Sequence, residues 1–225
     1  MQPEKVTTPV YEGSVLAPAA FAGALATFYF GPGDRADRFA RYIRRAYRDM
    51  NRTILGLGGL DPRSRAALRT TAEDSVRGQL LELMNDQTAP SATGFDSWHR
   101  GACEALIGVY GSHGIHLTVG QAQKWLNMTL KYLFVADALG VTPMAQVRRH
   151  YRFAHMPIDN VVLDALAAME PAGPTYPRPW SRQDDYDEYL RFQHAVRTRF
   201  GCCLDGEFMA WHPHHEQWTQ ANGSL

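Results

Sequence analysis

Apolar side chains recur at intervals of three and four along most of this chain, which predicts helices; no pair of strands suggests itself and no internal repeat is found. The clearest case is Phe39, Tyr42, Ile43, Ala46, Tyr47 and Met50, with a stripe of Arg38, Arg41, Arg45, Arg48 and Arg52 beside it and Asp34 placed as N-cap. Ahead of it a helix is expected over 18–30, stopped by Gly31-Pro32-Gly33. Residues 1–13 lack periodicity and read as an extended arm in front of one domain over 14–225.

Asp61-Pro62, an N-cap followed by proline at the first helical position, opens a helix to about Asn85. After a loop over 87–94, a helix from about Asp96 to Tyr110 ends in Gly111-Ser112-His113-Gly114. The next starts at Thr118, which has capping-box spacing to Gln121, and buries Leu126, Leu130, Leu133 and Phe134. Pro143 opens a short basic helix, and Pro157, at its N1 position, a helix through Met169. Beyond the proline-rich 171–179 connection, Ser181 with Asp184 caps a last long helix to about Phe200, repeating Tyr186, Tyr189, Leu190, Gln193 and Val196. The fold class expected is all-α.

With 225 residues and 45% hydrophobic content, the chain can bury a full core without disulfides or metals. No run reaches the ~18 apolar residues of a membrane span, and 15–30 lacks the basic flank of a signal peptide, so no membrane contact and a cytoplasmic location are expected. Three cysteines, two of them adjacent (Cys202, Cys203), fit a reducing compartment. A net charge of zero argues against coating nucleic acid by bulk electrostatics, although the arginine stripe has the form of a local phosphate-binding face.

Charge composition sharpens the picture more than charge balance does. Of 23 basic residues only Lys5, Lys124 and Lys131 are lysine, the other 20 being arginine. An amine can lose its proton and attack carbon, whereas a guanidinium stays charged. Lys124 and Lys131 lie seven apart, on one face of the predicted helix, just after a tight turn able to aim helix N-terminal amides at a phosphate.

Gln123-Lys124-Trp125-Leu126-Asn127-Met128-Thr129-Leu130-Lys131-Tyr132, followed by His155-Met156-Pro157-Ile158-Asp159-Asn160, resembles the helix-hairpin-helix DNA glycosylase superfamily, nearest to the archaeal-type 8-oxoguanine glycosylase/lyases. The resemblance spans residues 111–166. Thr118 stands where the family's hairpin has its first glycine, and the 143–152 segment lengthens the interval between the two motifs.

What the resemblance implies is a two-lobed helical fold with a central helix-hairpin-helix and a site in the cleft. Lys124 would be the nucleophile and Asp159 the carboxylate that stabilises positive charge on the sugar and moves protons. That role asks for a Lys124 partly withdrawn from water. Thr118, Gly120 and Gln121 would offer the helix start to DNA, and Lys131 would hold the flanking strand. Trp98, Trp125 and Trp180 are candidates to stack on a base flipped out of double-stranded DNA. The activity expected is excision of a damaged or modified base, 8-oxoguanine being the one the resemblance suggests, with lyase activity and no cofactor or metal, in a monomer.

Rival expectations rest on shorter patterns. Arg149 and His155 resemble the Arg-polar-x4-His motif of HEPN ribonucleases, which would cut RNA by acid/base chemistry. Cys202, Cys203, His212, His214 and His215 match no zinc spacing, and the histidines read as surface residues. Asp184, Asp185, Asp187 and Glu188 read as an acidic first helical turn, and Asp205 with Glu207 as a carboxylate pair with no base or nucleophile beside it. A non-catalytic helical module that binds DNA or a protein partner is the third alternative.

Overall fold

In the computed structural model, which describes residues 18–33 and 37–211, the chain is all-helical. The α-helices among these residues are α1 (Pro18–Phe30), α2 (Ala40–Met50), α3 (Pro62–Asn85), α4 (Ala92–Gly111), α5 (Val119–Ala138), α6 (Ala145–Arg148), α7 (Asn160–Met169), α8 (Tyr186–Phe200) and α9 (Cys203–Trp211). Single 3-10 turns lie at Asn51–Thr53, Leu57–Gly59, Tyr151–Phe153 and Trp180–Arg182. None of these helices is long and apolar enough to cross a membrane.

Capping chemistry explains most starts. Asp61 accepts from the amides of Arg63 and Ser64, with Pro62 at the first position of α3. Thr118 and Gln121 form the expected reciprocal capping box on α5. Asp34 lies outside the described residues; Asp37 Oδ1 receives the amides of Phe39 and Ala40 at the start of α2.

Three starts differ from expectation. Ser91 caps α4 through Gly94 N, so the helix begins a turn before Asp96. Asp185, rather than Ser181 with Asp184, caps α8 by accepting from Asp187 N and Glu188 N. Pro157 is not at N1: residues 154–158 run as a buried, non-helical strap, and α7 begins only after Asp159, whose carboxylate takes the Val162 amide at 2.8 Å. α9 has no counterpart in the expected elements, because its nine residues span little more than two turns and carry too short a pattern.

α5 is the axis of the fold. Every residue from Leu117 to Leu130 is buried, so over this stretch the helix has no solvent face. On one side α2 packs along it: Trp125, fully buried, donates Nε1–H to Ile43 O at 3.0 Å and lies against the Tyr47 ring at 4.8 Å. α4 covers a second side, with α3 packed on α4 and α2, and among the C-terminal helices α9 packs on both α7 and α8. The buried apolar residues form one continuous cluster from Phe39 to Leu204 rather than two separate cores.

A helix buried all round must satisfy its polar side chains inside the protein. Gln121, Gln123, Lys124, Asn127 and Thr129 are all buried, and each finds a partner. Those partners determine what the interior of this molecule can do.

Candidate active site

Two glutamines fix the geometry of the strap. Gln193 of α8 accepts from Met156 N at 3.1 Å and donates to Met156 O at 2.9 Å. Gln123 of α5 accepts from Ile158 N at 3.2 Å and donates to Ile158 O at 3.1 Å. Each side-chain amide thus pairs with one residue of the strap as a neighbouring strand would, and Asn127 Nδ2 adds a bond to Met156 O at 3.2 Å. With 156 and 158 pinned to the helices, the next residue, Asp159, is delivered to α5.

There Lys124 Nζ lies 2.5 Å from Asp159 Oδ2. The lysine side chain is 5% exposed and the aspartate 23%, so any approach from solvent arrives at the carboxylate first. Both Asp159 oxygens are committed: Oδ1 to the Val162 amide at the start of α7, and Oδ2 to the ammonium. The arrangement is an amine held in a dry setting against a fixed carboxylate at a helix N-terminus, where the helix dipole favours the negative charge.

A second pair stands two turns along the same helix. Lys131 Nζ donates to Glu207 Oε1 of α9 at 2.6 Å and sits 5.2 Å from the centroid of the Phe208 ring. Lys131 is thereby engaged with its own chain, not presented to DNA as expected. Glu207 is almost wholly buried, and its Oε2 has no hydrogen-bond partner. Burial pushes its carboxyl above the usual range, Lys131 and Lys124 pull it back, and Asp159 pushes the same way as burial. Glu207 therefore has an amine, Lys131, beside it, contrary to the expectation for the Asp205–Glu207 pair. Asp205 turns away to Tyr151 Oη at 2.6 Å.

The expected phosphate site is filled by the protein itself. Gly120 N donates to Gln183 O at 2.8 Å, Val119 N to Asp184 Oδ1 at 3.4 Å, and Gln121 N to Thr118 Oγ1 at 3.1 Å. Thr118 Oγ1 donates in turn to Ser181 O, and Gln121 Nε2 to Thr53 O. All three residues are buried, with no helix-start amide left for DNA. The glycine serves close packing: a Cβ at Gly120 would lie 1.9 Å from Trp180 O.

The three tryptophans do not converge on a pocket either. Trp125 is core between α5 and α2, and Trp180, also buried, lies over the start of α5. Trp98 donates to Gln79 O and, with Phe95 and His150, lines a cavity of about 250 Å³ between α3 and α4. The aromatic ring beside the charged cluster is Phe208, partly exposed on α9.

The two residues of the ribonuclease pair have different partners. Arg149 donates to the carbonyls of Asp86 and Thr88. His155 is fully buried in the strap, with Nε2 2.8 Å from Asp96 Oδ1 and Nδ1 2.9 Å from Tyr189 Oη. Burial lowers its pKa to about 4, so at neutral pH it is the uncharged ring, donating from Nε2 to Asp96 and accepting at Nδ1 from Tyr189. Asp96 also receives His194 Nε2 at 2.7 Å and Arg197 at 3.1 Å. Burial opposes its charge, yet these donors hold its carboxyl well below the usual carboxylate range.

Tyr189 Oη accepts from Asn127 Nδ2 at 2.9 Å, and Asn127 Oδ1 faces His99 Nε2 at 3.0 Å, so this buried network joins α4, α5, α8 and the strap. Sequence reading missed it. The available signal was a pair of polar residues at helical spacing, Gln123 and Asn127, four apart on the helix that also carries Leu126, Leu130, Leu133 and Phe134.

The remaining candidates have plain structural places. Cys103, Cys202 and Cys203 are free thiols and buried, while His212, His214 and His215 lie outside the described residues. Among the described residues no group of three His, Cys, Asp or Glu side chains is disposed to hold a metal ion. Asp187 and Glu188 form the acidic first turn of α8, with Asp187 paired to Arg100 and Asp184 to His116. In the arginine stripe, Arg41 bonds Tyr42 and Thr142, and Arg45 pairs with Asp49, whereas Arg48 and Arg52 are exposed. No protein-family model, curated protein or solved structure matches the chain.

Proposed function

We propose that this chain is a DNA N-glycosylase with associated lyase activity, acting as a cytoplasmic monomer on a base flipped from duplex DNA. The observation that carries the reading is the Lys124–Asp159 pair: one of three lysines in the chain, withdrawn from water, 2.5 Å from a carboxylate fixed at a helix start. That contact joins residues 35 apart in sequence and supports the reading drawn from the resemblance of residues 111–166 to helix-hairpin-helix glycosylases.

In this mechanism Asp159 stays anionic and stabilises the positive charge that grows on the deoxyribose as its bond to the base breaks. The Lys124 amine, once neutral, attacks C1′; the departing base takes up a proton, and opening of the sugar ring leaves an iminium between Lys124 and C1′. Loss of a C2′ proton then eliminates the 3′ phosphate, and water releases the lysine. DNA would reach the site from the Asp159 side, and within the arginine stripe Arg48 and Arg52 are exposed and would be free to meet backbone phosphate.

The test is single-turnover base release and strand cleavage on duplexes carrying oxidised, deaminated or alkylated bases, 8-oxoguanine first. Lys124→Gln should abolish strand cleavage, and Asp159→Asn should slow base release by about 100-fold or more. Failure to release a base from any duplex would leave a non-catalytic helical module as the better account.

A further inference from the structure

The cavity of about 250 Å³ between α3 and α4 takes no part in the mechanism above. Its wall is aromatic: the ring centroids of Phe95 and Trp98 lie 5.2 Å apart, and the buried His150 ring is 6.4 Å from Phe95. Trp98 has given its only N–H to Gln79 O, so what it offers a ligand is carbon and π surface. Glycine keeps the space open. Gly94, Trp98 and Gly101 follow one face of α4, and a Cβ at Gly101 would meet nothing within 4 Å.

The polar side of the cavity is negative. Glu82 and Asp86 border it four residues apart at the carboxyl end of α3, where the helix dipole is negative and no basic residue occupies the last turn. Like charges at that spacing repel each other, and a cation between them removes the repulsion. Thr88 donates to Asp86 through its amide at 2.8 Å and its hydroxyl at 2.9 Å, which holds the carboxyl below its usual range. Among the described residues no lysine or arginine lines the cavity. Arg149 is turned to the rim, donating to the carbonyls of Asp86 and Thr88 and to His150 Nε2; it fixes the rim and offsets part of the charge. His150 adds none at neutral pH, because burial and Arg149 lower its pKa.

We infer that this cavity is a binding site for a small organic cation bearing N–H donors, a guanidinium or primary ammonium. Its charged head lies against Glu82, Asp86 and the end of α3, and its carbon surface against Trp98 and Phe95. The volume admits a ligand of about ten non-hydrogen atoms. Neither Lys124 nor Asp159 is used, so the site stands whether or not the chain acts on DNA.

The test is calorimetric titration of the full chain with agmatine, which carries both heads and is of this size, and with choline, a cation of similar bulk whose charged nitrogen has no N–H. Agmatine should bind at one site per chain with a Kd of about 1 mM or below, choline about tenfold more weakly or worse. Glu82→Gln should weaken agmatine about tenfold and Trp98→Leu about fivefold. Gly101→Leu, which fills the space and replaces a helical glycine with a better helix former, should fold and lose binding. No saturable binding up to about 10 mM agmatine, unchanged affinity in Gly101→Leu, or choline binding as tightly as agmatine would overturn the assignment. Should Trp98→Leu fail to fold, Glu82→Gln and Gly101→Leu decide, since both positions are exposed.

Discussion

Lys124 is the residue on which most depends, and its burial makes its partner consequential for stability as well as for chemistry. Removing one member of a buried ion pair leaves the other charge uncompensated and costs about 3 kcal/mol or more. Asp159→Ala should therefore lower the unfolding free energy by about that amount, plus about 1 kcal/mol for the lost cap on α7, as read from urea denaturation. Lys124→Met, which removes a charge and leaves a partly solvated carboxylate still bonded to the Val162 amide, should cost less. Equal costs for the two would mean that the pair is not held as described.

At the scale of elements, the question is what brings Asp159 to α5. The strap is non-helical because Gln123 and Gln193 satisfy its backbone from either side, and an apolar replacement would strand both a peptide N–H and a C=O. Gln123→Leu should lose about 2–4 kcal/mol and slow borohydride trapping while leaving duplex affinity in place. Unchanged trapping in a folded Gln123→Leu would show that the strap does not position Asp159. Gly120→Ala, which sets a methyl against Trp180 O, should cost about 1–3 kcal/mol by pushing the 180–184 segment off the start of α5.

The same elements explain how far the sequence could be read. Thr118 with Gln121, and Asp61 with Pro62, act through atoms two to four residues apart, so those helix starts were legible. Lys124 with Asp159 was legible only through resemblance, since nothing local joins residues 35 apart. The phosphate-binding expectation failed because the helix start is closed by Trp180–Asp184, a contact without a periodic signature. Trp125 looked available because aromatic residues read alike on a core face and a pocket wall. The lysine partner of Glu207 was invisible for a similar reason: the helix that carries Glu207 is short, and Lys131 is 76 residues away.

For the molecule as a whole, the buried polar network sets the response to acid. His155 has a folded pKa of about 4 against an ordinary value of 6.5, and fully buried His99 is lowered as well, by burial first and then by the charge of His155. Between those values the unfolded chain binds protons that the folded one refuses, so stability falls as pH drops from about 6.5 toward 4. Asp96, with its carboxyl held below the usual range, adds a further loss at lower pH. Glu207 acts in the opposite sense, because a raised carboxyl pKa gains stability as pH falls, but it is one group against three. His155 alone implies a loss on the order of 3 kcal/mol between pH 7 and pH 4. Urea denaturation over that range should show the fall, with a smaller slope in His155→Gln; a flat curve would contradict the protonation states assigned to the network.

The central claim is that the chemistry of this protein runs through one amine. The most direct test is to incubate the chain with an 8-oxoguanine duplex and a panel of other lesions in the presence of borohydride, digest the trapped complex and locate the DNA-bearing peptide. The account predicts a covalent adduct on Lys124, absent in Lys124→Gln and strongly reduced in Asp159→Asn. An adduct on Lys131 or on the N-terminal amine, or none with any duplex while the folded protein is intact, would contradict it.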